Sequence, residues 1–265
     1  MQINKIWLIS FSPTRTSKSA VDALASGIQG IPFETHDLTY PGKVPPIQFG
    51  ADELVIIGVP VYAGRVAPLA VKRLEMLRGN NTPAVLVVTY GNRDFEDALI
   101  ELRDIARKAA FRPIAACTFI GEHSFSGPET PIAAGRPDSA DRATAEAFGM
   151  RISEKLAALE SPETAHCPEV PGKSPYKEGM GPLPFAPKLL ESACTQCATC
   201  LPVCPTGAIS LETRIEIDRN LCIFCCACFK ICPENALQID DDPIKQKRQW
   251  LFEHCTERKE PELYL

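Results

Sequence analysis

Hydrophobic and polar positions change period again and again along the first part of the chain. "INKIWLISF" is an apolar run short enough for a buried strand, and "SKSAVDALASGI" then places apolar residues three and four apart, the spacing of one helix face. "PFETHDL" reads as a second strand and "ELVIIGVP" as a third. The helix pattern "APLAVKRLEML" follows, then a fourth strand, "PAVLVVTYG", and the helix "FEDALIELRDIARKA". "PIAACTFIG" is the fifth strand, and the long amphipathic "SADRATAEAFGMRISEKLAAL" closes the series. Strands alternating with helices predict a parallel sheet covered on both faces. Five strands in residues 1–160 suit the doubly wound order 2-1-3-4-5. Between the second and third strands, "TYPGKVPPIQFGADE" holds too many Pro and Gly for a good helix.

Past residue 160 the pattern changes. Residues 161–187 hold seven prolines and read as an extended, semi-rigid connector. A connector of that length is expected to pack on a surface and set the geometry between domains. Residues 188–242 are cysteine-dense, and 243–265 read as a C-terminal helix and tail. Of the twelve cysteines, nine fall between Cys194 and Cys232, leaving Cys117, Cys167 and Cys255 outside the cluster.

"CTQCATCLPVCPTGAISLE" and "CIFCCACFKICPENALQID" are one unit written twice, 28 residues apart. Each reads C-x2-C-x2-C-x3-C-P, the run of bacterial two-cluster ferredoxins, in which the fourth Cys ligates the other cluster. That rule assigns Cys194, Cys197, Cys200 and Cys232 to one [4Fe–4S] cluster, and Cys222, Cys225, Cys228 and Cys204 to a second. The crossed fourth ligand staples the two halves of a domain too small to have much core of its own. Ala198, Ile223, Phe224 and Ala227 lie between the thiols and would exclude water. Structural zinc calls instead for C-x2-C pairs across a longer loop. Cys226 is out of register and reads as a spare thiol packed beside a cluster. Cys117 reads as core.

Directly after the first strand comes "SPTRTSKS", opening a helix. A hydroxyl-rich turn at a helix N-terminus is a phosphate cradle, and in a doubly wound sheet it stands where ligands bind. The same turn would also serve as a plain cap by Thr16 or Ser17. Neither a dinucleotide fingerprint nor a P-loop occurs in the sequence. "SFSPTRTSKSA" resembles the phosphate loop of flavodoxins, with Ser12, Thr14 and Ser17 at the hydroxyl positions and Thr16 between them. Flavodoxin loops commonly carry Gly where this chain has Arg15, and Arg would be strained there if the position demands φ > 0.

Nearly the whole chain, "FIGEHSFS" and "GRPDSADRATAEAFG" included, resembles the EFR-type ferredoxins, in which an N-terminal flavodoxin domain precedes a two-cluster ferredoxin domain. The resemblance implies FMN, held by Ser12, Thr14, Arg15, Thr16 and Ser17. It also implies two further loops at the flavin: Pro60, Val61, Tyr62, Ala63 and Gly64 after the third strand, and Thr89, Tyr90, Gly91, Asn92 and Arg93 after the fourth. Tyr62 and Tyr90 are the residues expected to stack on the ring. Arg93, and His123 after the fifth strand, are the candidates for chemistry. A hydrogen-bonded loop histidine is the plainer reading of His123.

Composition adds limits. The chain has 265 residues, 45% of them hydrophobic, and a net charge of −5. An acidic balance argues against a nucleic-acid partner, and no apolar run reaches the length of a membrane span. The short apolar run near the N-terminus reads as a strand rather than a secretory segment, so reduced thiols in the cytoplasm are expected. The expected function is electron transfer between FMN, two clusters and an external redox partner that docks through a basic patch. The rival is an FMN-dependent reductase of a small organic substrate, fed by its own clusters.

Overall fold

The computed structural model describes residues 1–40, 46–179, 181 and 183–265. Part of the segment read above as a poor helix, residues 41–45, lies outside the described residues, as does Pro182 of the connector.

The alternating pattern gives β1 (Lys5–Ser10), α1 (Thr16–Ser26), β2 (Phe33–Asp37), β3 (Ile47–Gln48), β4 (Glu53–Tyr62), β5 (Arg65–Val66), α2 (Pro68–Leu74), β6 (Leu77–Arg78), β7 (Thr82–Tyr90), α3 (Ala98–Lys108), β8 (Phe111–Ile120) and α4 (Ser139–Ala158). Where the Pro- and Gly-rich segment is described it forms no helix. Its Ile47–Gln48 pairs with β6 instead. The five long strands are parallel and run β2-β1-β4-β7-β8, the doubly wound order expected from the pattern. Every residue of β7 is buried, as befits a central parallel strand covered on both faces. Apolar side chains gather in two cores, one on each side of the sheet. On one side α1 lies against α4, and a Cβ on Gly149 would stand 2.1 Å from the Leu24 carbonyl oxygen, so only glycine permits that approach.

The connector is pinned rather than free. The buried Asp97 carboxylate, just before α3, accepts from the Lys173 N–H at 2.8 Å and the Lys177 N–H at 2.7 Å. Tyr176 donates its hydroxyl to Asp104 at 2.6 Å, and Arg65 donates to the Lys177 carbonyl at 2.6 Å while its guanidinium stacks on the Tyr176 ring.

Beyond the connector come β9 (Lys188–Leu189), β10 (Ile209–Leu211), β11 (Ile215–Ile217), α5 (Ala227–Ile231), β12 (Leu237–Gln238), α6 (Asp242–His254) and β13 (Glu262–Tyr264). The strand before each cysteine run pairs with the strand after the other run, β9 with β12 and β11 with β10. The 28-residue repeat is therefore a pseudo-two-fold in space. The tail brings an element the sequence did not announce: β13 pairs antiparallel with β8 and covers that edge of the main sheet. With β5, paired antiparallel with β4, it raises the sheet from five strands to seven. Two further anchors hold the tail. Asn92 Nδ2 donates to the carbonyls of Cys255 at 2.7 Å and Glu257 at 2.8 Å. Arg258 meets Asp138, the residue that caps α4.

Candidate cofactor site

The carboxyl ends of β1, β4, β7 and β8 open on one cavity of about 300 Å³, within the size range of small-molecule sites. The turn after β1 forms one wall. Ser12, Thr14, Thr16 and Ser17 all line the cavity, but they are not equivalent. Ser12 Oγ accepts the Lys18 N–H at 3.1 Å, so it closes the first turn of α1. Ser17 is fully buried and shares a 2.5 Å hydrogen bond with Thr89 Oγ1. Among the described residues, the hydroxyls of Thr14 and Thr16 make no such bond. Neither Thr16 nor Ser17 caps the helix. The N-cap position is Arg15, which adopts φ 65° and ψ 2° and makes no side-chain cap. This is the left-handed region that favours glycine, so the strain foreseen for Arg15 is present. Its side chain is exposed and does not line the cavity.

Pro60, Val61 and Tyr62, read as loop from the sequence, are the last residues of β4 and join Ala63 in the wall; Thr89 and Tyr90 likewise end β7 and are followed there by Gly91 and Arg93. Gly64 and Asn92 lie outside the lining. Gly64 is buried with φ 84°, against Glu96, and Asn92 holds the tail as described above. Arg93 binds Glu96 through two bonds of 3.1 and 2.8 Å. The Arg93 guanidinium foremost, joined by Lys177, holds the Glu96 carboxyl down at about 2. At Gly91 an added Cβ would stand 2.2 Å from His123 Cδ2, so the imidazole fills that space. His123 Nδ1 accepts the Phe125 N–H at 3.0 Å, which puts the ring proton on Nε2. Burial, seconded by the charges of Lys230, Lys247 and Arg93, lowers its pKa to about 4, so the ring is neutral at pH 7.

The far wall was not foreseen. Leu183 of the connector, Phe224 of the second cysteine run, and Ile244, Lys247 and Leu251 of α6 close the cavity. The signal was present in α6, where positions 244, 247 and 251 fall on one helix face. Nothing in that spacing said which surface the face would meet.

The two cysteine runs bring their thiols to two hollows. Cys194, Cys197, Cys200 and Cys232 line one, and Cys204, Cys222, Cys225 and Cys228, together with the out-of-register Cys226, line the other. Cys226 apart, each hollow takes three thiols from one run and the fourth from its copy. The backbones repeat as well. Left-handed φ values of 56° and 60° at Gln196 and Ala198 recur as 53° and 63° at Phe224 and Cys226, and Gly207 at 67° recurs as Asn235 at 49°. The N–H of Ala208 donates to Cys204 Sγ at 3.2 Å, and its copy Ala236 donates to Cys232 Sγ at 3.3 Å. Such N–H···S bonds tune cluster potentials. Cys226 takes the place of Ala198, is fully buried, and donates its S–H to the Phe224 carbonyl at 3.5 Å. Among the described residues, no three His, Cys, Asp or Glu side chains converge on the position of a single metal ion; in a [4Fe–4S] cluster each thiolate takes a separate iron instead. Cys117 is buried in the sheet core, and no disulfide joins any of the twelve cysteines. No helix among the described residues is long and apolar enough to cross a membrane.

A family model described as "4Fe-4S binding domain" matches residues 187–210 and again 215–238, so the C-terminal part of the chain carries a ferredoxin-type 4Fe–4S binding domain. A search of curated protein sequences gave no match. Among solved structures, a flavodoxin from the domain Archaea is 14% identical, the match covering 58% of this chain and 99% of that one with a TM-score of 0.38. A flavodoxin from Streptococcus pneumoniae is 13% identical over 57% of this chain and 99% of its own, TM-score 0.41. The rubredoxin oxygen:oxidoreductase of Desulfovibrio gigas is 14% identical over 59% of this chain and 37% of its own, TM-score 0.43. The strand order and the paired cysteine runs describe one chain with a flavodoxin-like α/β fold and a ferredoxin-type 4Fe–4S domain.

Proposed function

We propose that the chain is an electron-transfer flavo-iron–sulfur protein of the EFR type, carrying FMN in the cavity and a [4Fe–4S] cluster in each thiol hollow. The observation that carries this reading is the crossed gathering of eight thiols into two quartets beside a hydroxyl-walled cavity. The cavity residues fit FMN. Thr14 and Thr16 offer uncommitted hydroxyls, and the first amides of α1 offer N–H donors to a phosphate. Tyr62 and Tyr90, the last residues of β4 and β7, line the cavity where the ring would lie. The thiols fit the clusters, since each hollow holds a crossed quartet of sulfurs, the second with Cys226 beside it, and N–H groups donate to Cys204 and Cys232.

When bound, FMN exchanges one or two electrons and each cluster one, so a two-electron donor can meet one-electron acceptors in a single chain. The protein's part is position. Asp97 and Tyr176 tie the connector to α3, and Lys230 donates to Glu122 and to the Ser126 carbonyl, so the cysteine domain is held over the cavity. Arg93 and His123 supply little to the rival reductase reading. Arg93 is committed to Glu96, and His123 is neutral with a pKa far below that of a useful acid at pH 7. We place the protein in the cytoplasm, with a redox protein bearing a basic patch as its partner.

Analysis of anaerobically purified protein tests the reading. It predicts about eight irons, as many acid-labile sulfides, and one FMN per chain. Zinc without sulfide, or a cavity that retains no flavin, would sink it.

A further inference from the structure

The two thiol quartets do not stand alike toward the cavity. The second hollow, that of Cys204, Cys222, Cys225 and Cys228, is built against the flavodoxin-like half. Phe224, between Cys222 and Cys225, is itself a wall of the cavity. Ile223 lines the hollow and also packs on the core beneath the sheet. Arg73 of α2 donates to the carbonyl of Pro205, the residue after Cys204. Neither hollow takes a lining residue from the flavodoxin-like half, but none of the residues lining the first, between Leu189 and Leu237, is a wall of the cavity. Cys197 of the first hollow is exposed, whereas Cys225 and Cys228 are buried. Leu183, Ile244 and Leu251 line the cavity from the connector and α6.

From this asymmetry we infer that the chain is a directional relay: the Cys194/Cys197/Cys200/Cys232 quartet is the port for an external one-electron protein with a basic face, and the second quartet alone communicates with the flavin cavity. The inference rests on the cofactor reading above and goes beyond it by ordering the centres. The port face fits a basic partner. Glu234 lines the hollow and is exposed, and Glu191 and Glu216, with 69% and 62% of their side chains exposed, share the single cation Arg214 at 3.0 and 3.2 Å, so these four side chains leave a net charge of −2. A bound cluster adds negative charge at the same place. Charges on such a rim act mainly on the rate of encounter and are screened by salt. The route inward is short because Phe224 is shared between a cysteine loop and the cavity wall.

The experiment uses the full holoprotein and two cationic probes. In the first arm, hexaamminechromium(III), inert and paramagnetic, is titrated in while the shifted β-CH₂ proton signals of the cysteines are followed. Signals of Cys194, Cys197, Cys200 and Cys232 are expected to broaden well before those of the second quartet. In the second arm, dithionite-reduced protein is mixed at low salt with hexaamminecobalt(III). Each cobalt(III) takes one electron from the protein and leaves as cobalt(II). The cluster absorbance is expected to recover first and the flavin band to follow. Glu191→Lys with Glu216→Lys should slow both phases together by about fivefold or more, and salt should abolish the difference. The pair Asp22→Lys with Glu34→Lys, exposed on the flavodoxin-like half, should leave both phases unchanged.

Broadening of the second quartet first, flavin recovery ahead of the clusters, or slowing by the Asp22/Glu34 pair instead would overturn the order. So would equal rates in all variants. A protein without flavin or without sulfide fails in the preliminary cofactor assay, which condemns the cofactor reading rather than the order.

Discussion

Asp97 is where the connector can be loosened by one substitution. Its carboxylate is buried and accepts two connector amides, those of Lys173 and Lys177. A hydrogen bond to a charged group contributes about 1.5–3 kcal/mol, so the pair sets an upper limit of about 6 kcal/mol. The Tyr176–Asp104 bond and the Arg65–Lys177 carbonyl bond remain after Asp97→Ala and blunt the loss. A local cost of about 3 kcal/mol is expected, close to a hundredfold in an opening equilibrium. Amide hydrogen exchange reads this directly: Lys173 and Lys177 should exchange about a hundredfold faster in Asp97→Ala. Asp97→Asn keeps one acceptor oxygen and should fall between. Asp104→Ala, which removes only the Tyr176 partner, should leave Lys173 protected. The pH dependence has a definite sign. The Lys177 amide foremost, with that of Lys173, holds the Asp97 carboxyl below its ordinary value of 3.8. The strap is therefore intact above that value and loosens only as pH falls through the lower folded value. Exchange at Lys173 and Lys177 within twofold of wild type in Asp97→Ala would refute the argument.

Four further outcomes follow from the site. Arg15→Gly should stabilise the fold by about 1 kcal/mol relative to Arg15→Ala in denaturant unfolding, because only glycine relieves the left-handed backbone. Thr14→Ala with Thr16→Ala should weaken FMN retention by roughly tenfold to a hundredfold, measured by equilibrium dialysis, whereas Ser12→Ala should cost about 1 kcal/mol of stability through its lost bond to the Lys18 amide. His123 has a folded pKa of about 4 against an ordinary 6.5, so the stability it lends is full above 6.5 and drains away as pH falls toward 4. The loss is up to about 3 kcal/mol, and His123→Gln should flatten the unfolding profile across that window.

The sequence disclosed most where chemistry imposes spacing. Eight thiols at fixed intervals suggested two quartets with a crossed fourth ligand, because three sulfurs in a tight loop leave the fourth position to the other copy, and the fold brings those thiols to two hollows. The strand order was legible from the switch between periods of 2 and 3.6. Within the hydroxyl turn the residue types were visible but not their duties. Ser12 and Ser17 are spent on Lys18 and Thr89, and only the packed fold reveals that. The roof of the cavity was hidden for another reason. Leu183, Phe224 and Leu251 are distant in sequence from the hydroxyl turn, and a contact between modules leaves no periodic trace. The duty of Asp97 was equally silent, since its two partners are backbone amides that any residue could supply.

The edge strand β13 has a consequence for biosynthesis. The N–H of Glu262 donates to the Thr118 hydroxyl across 144 positions of sequence, so β8 is made long before its neighbour. N-terminal segments fold first as a chain emerges, and β8 then stands as a bare edge able to recruit strands from other chains. The segment that shields it lies beyond both cysteine runs and α6. The anchors of that segment, Asn92, Thr118 and Asp138, are all in the part made first, so they wait ready for it. Removing residues 258–265 would leave the edge unshielded, and aggregation would be the visible symptom.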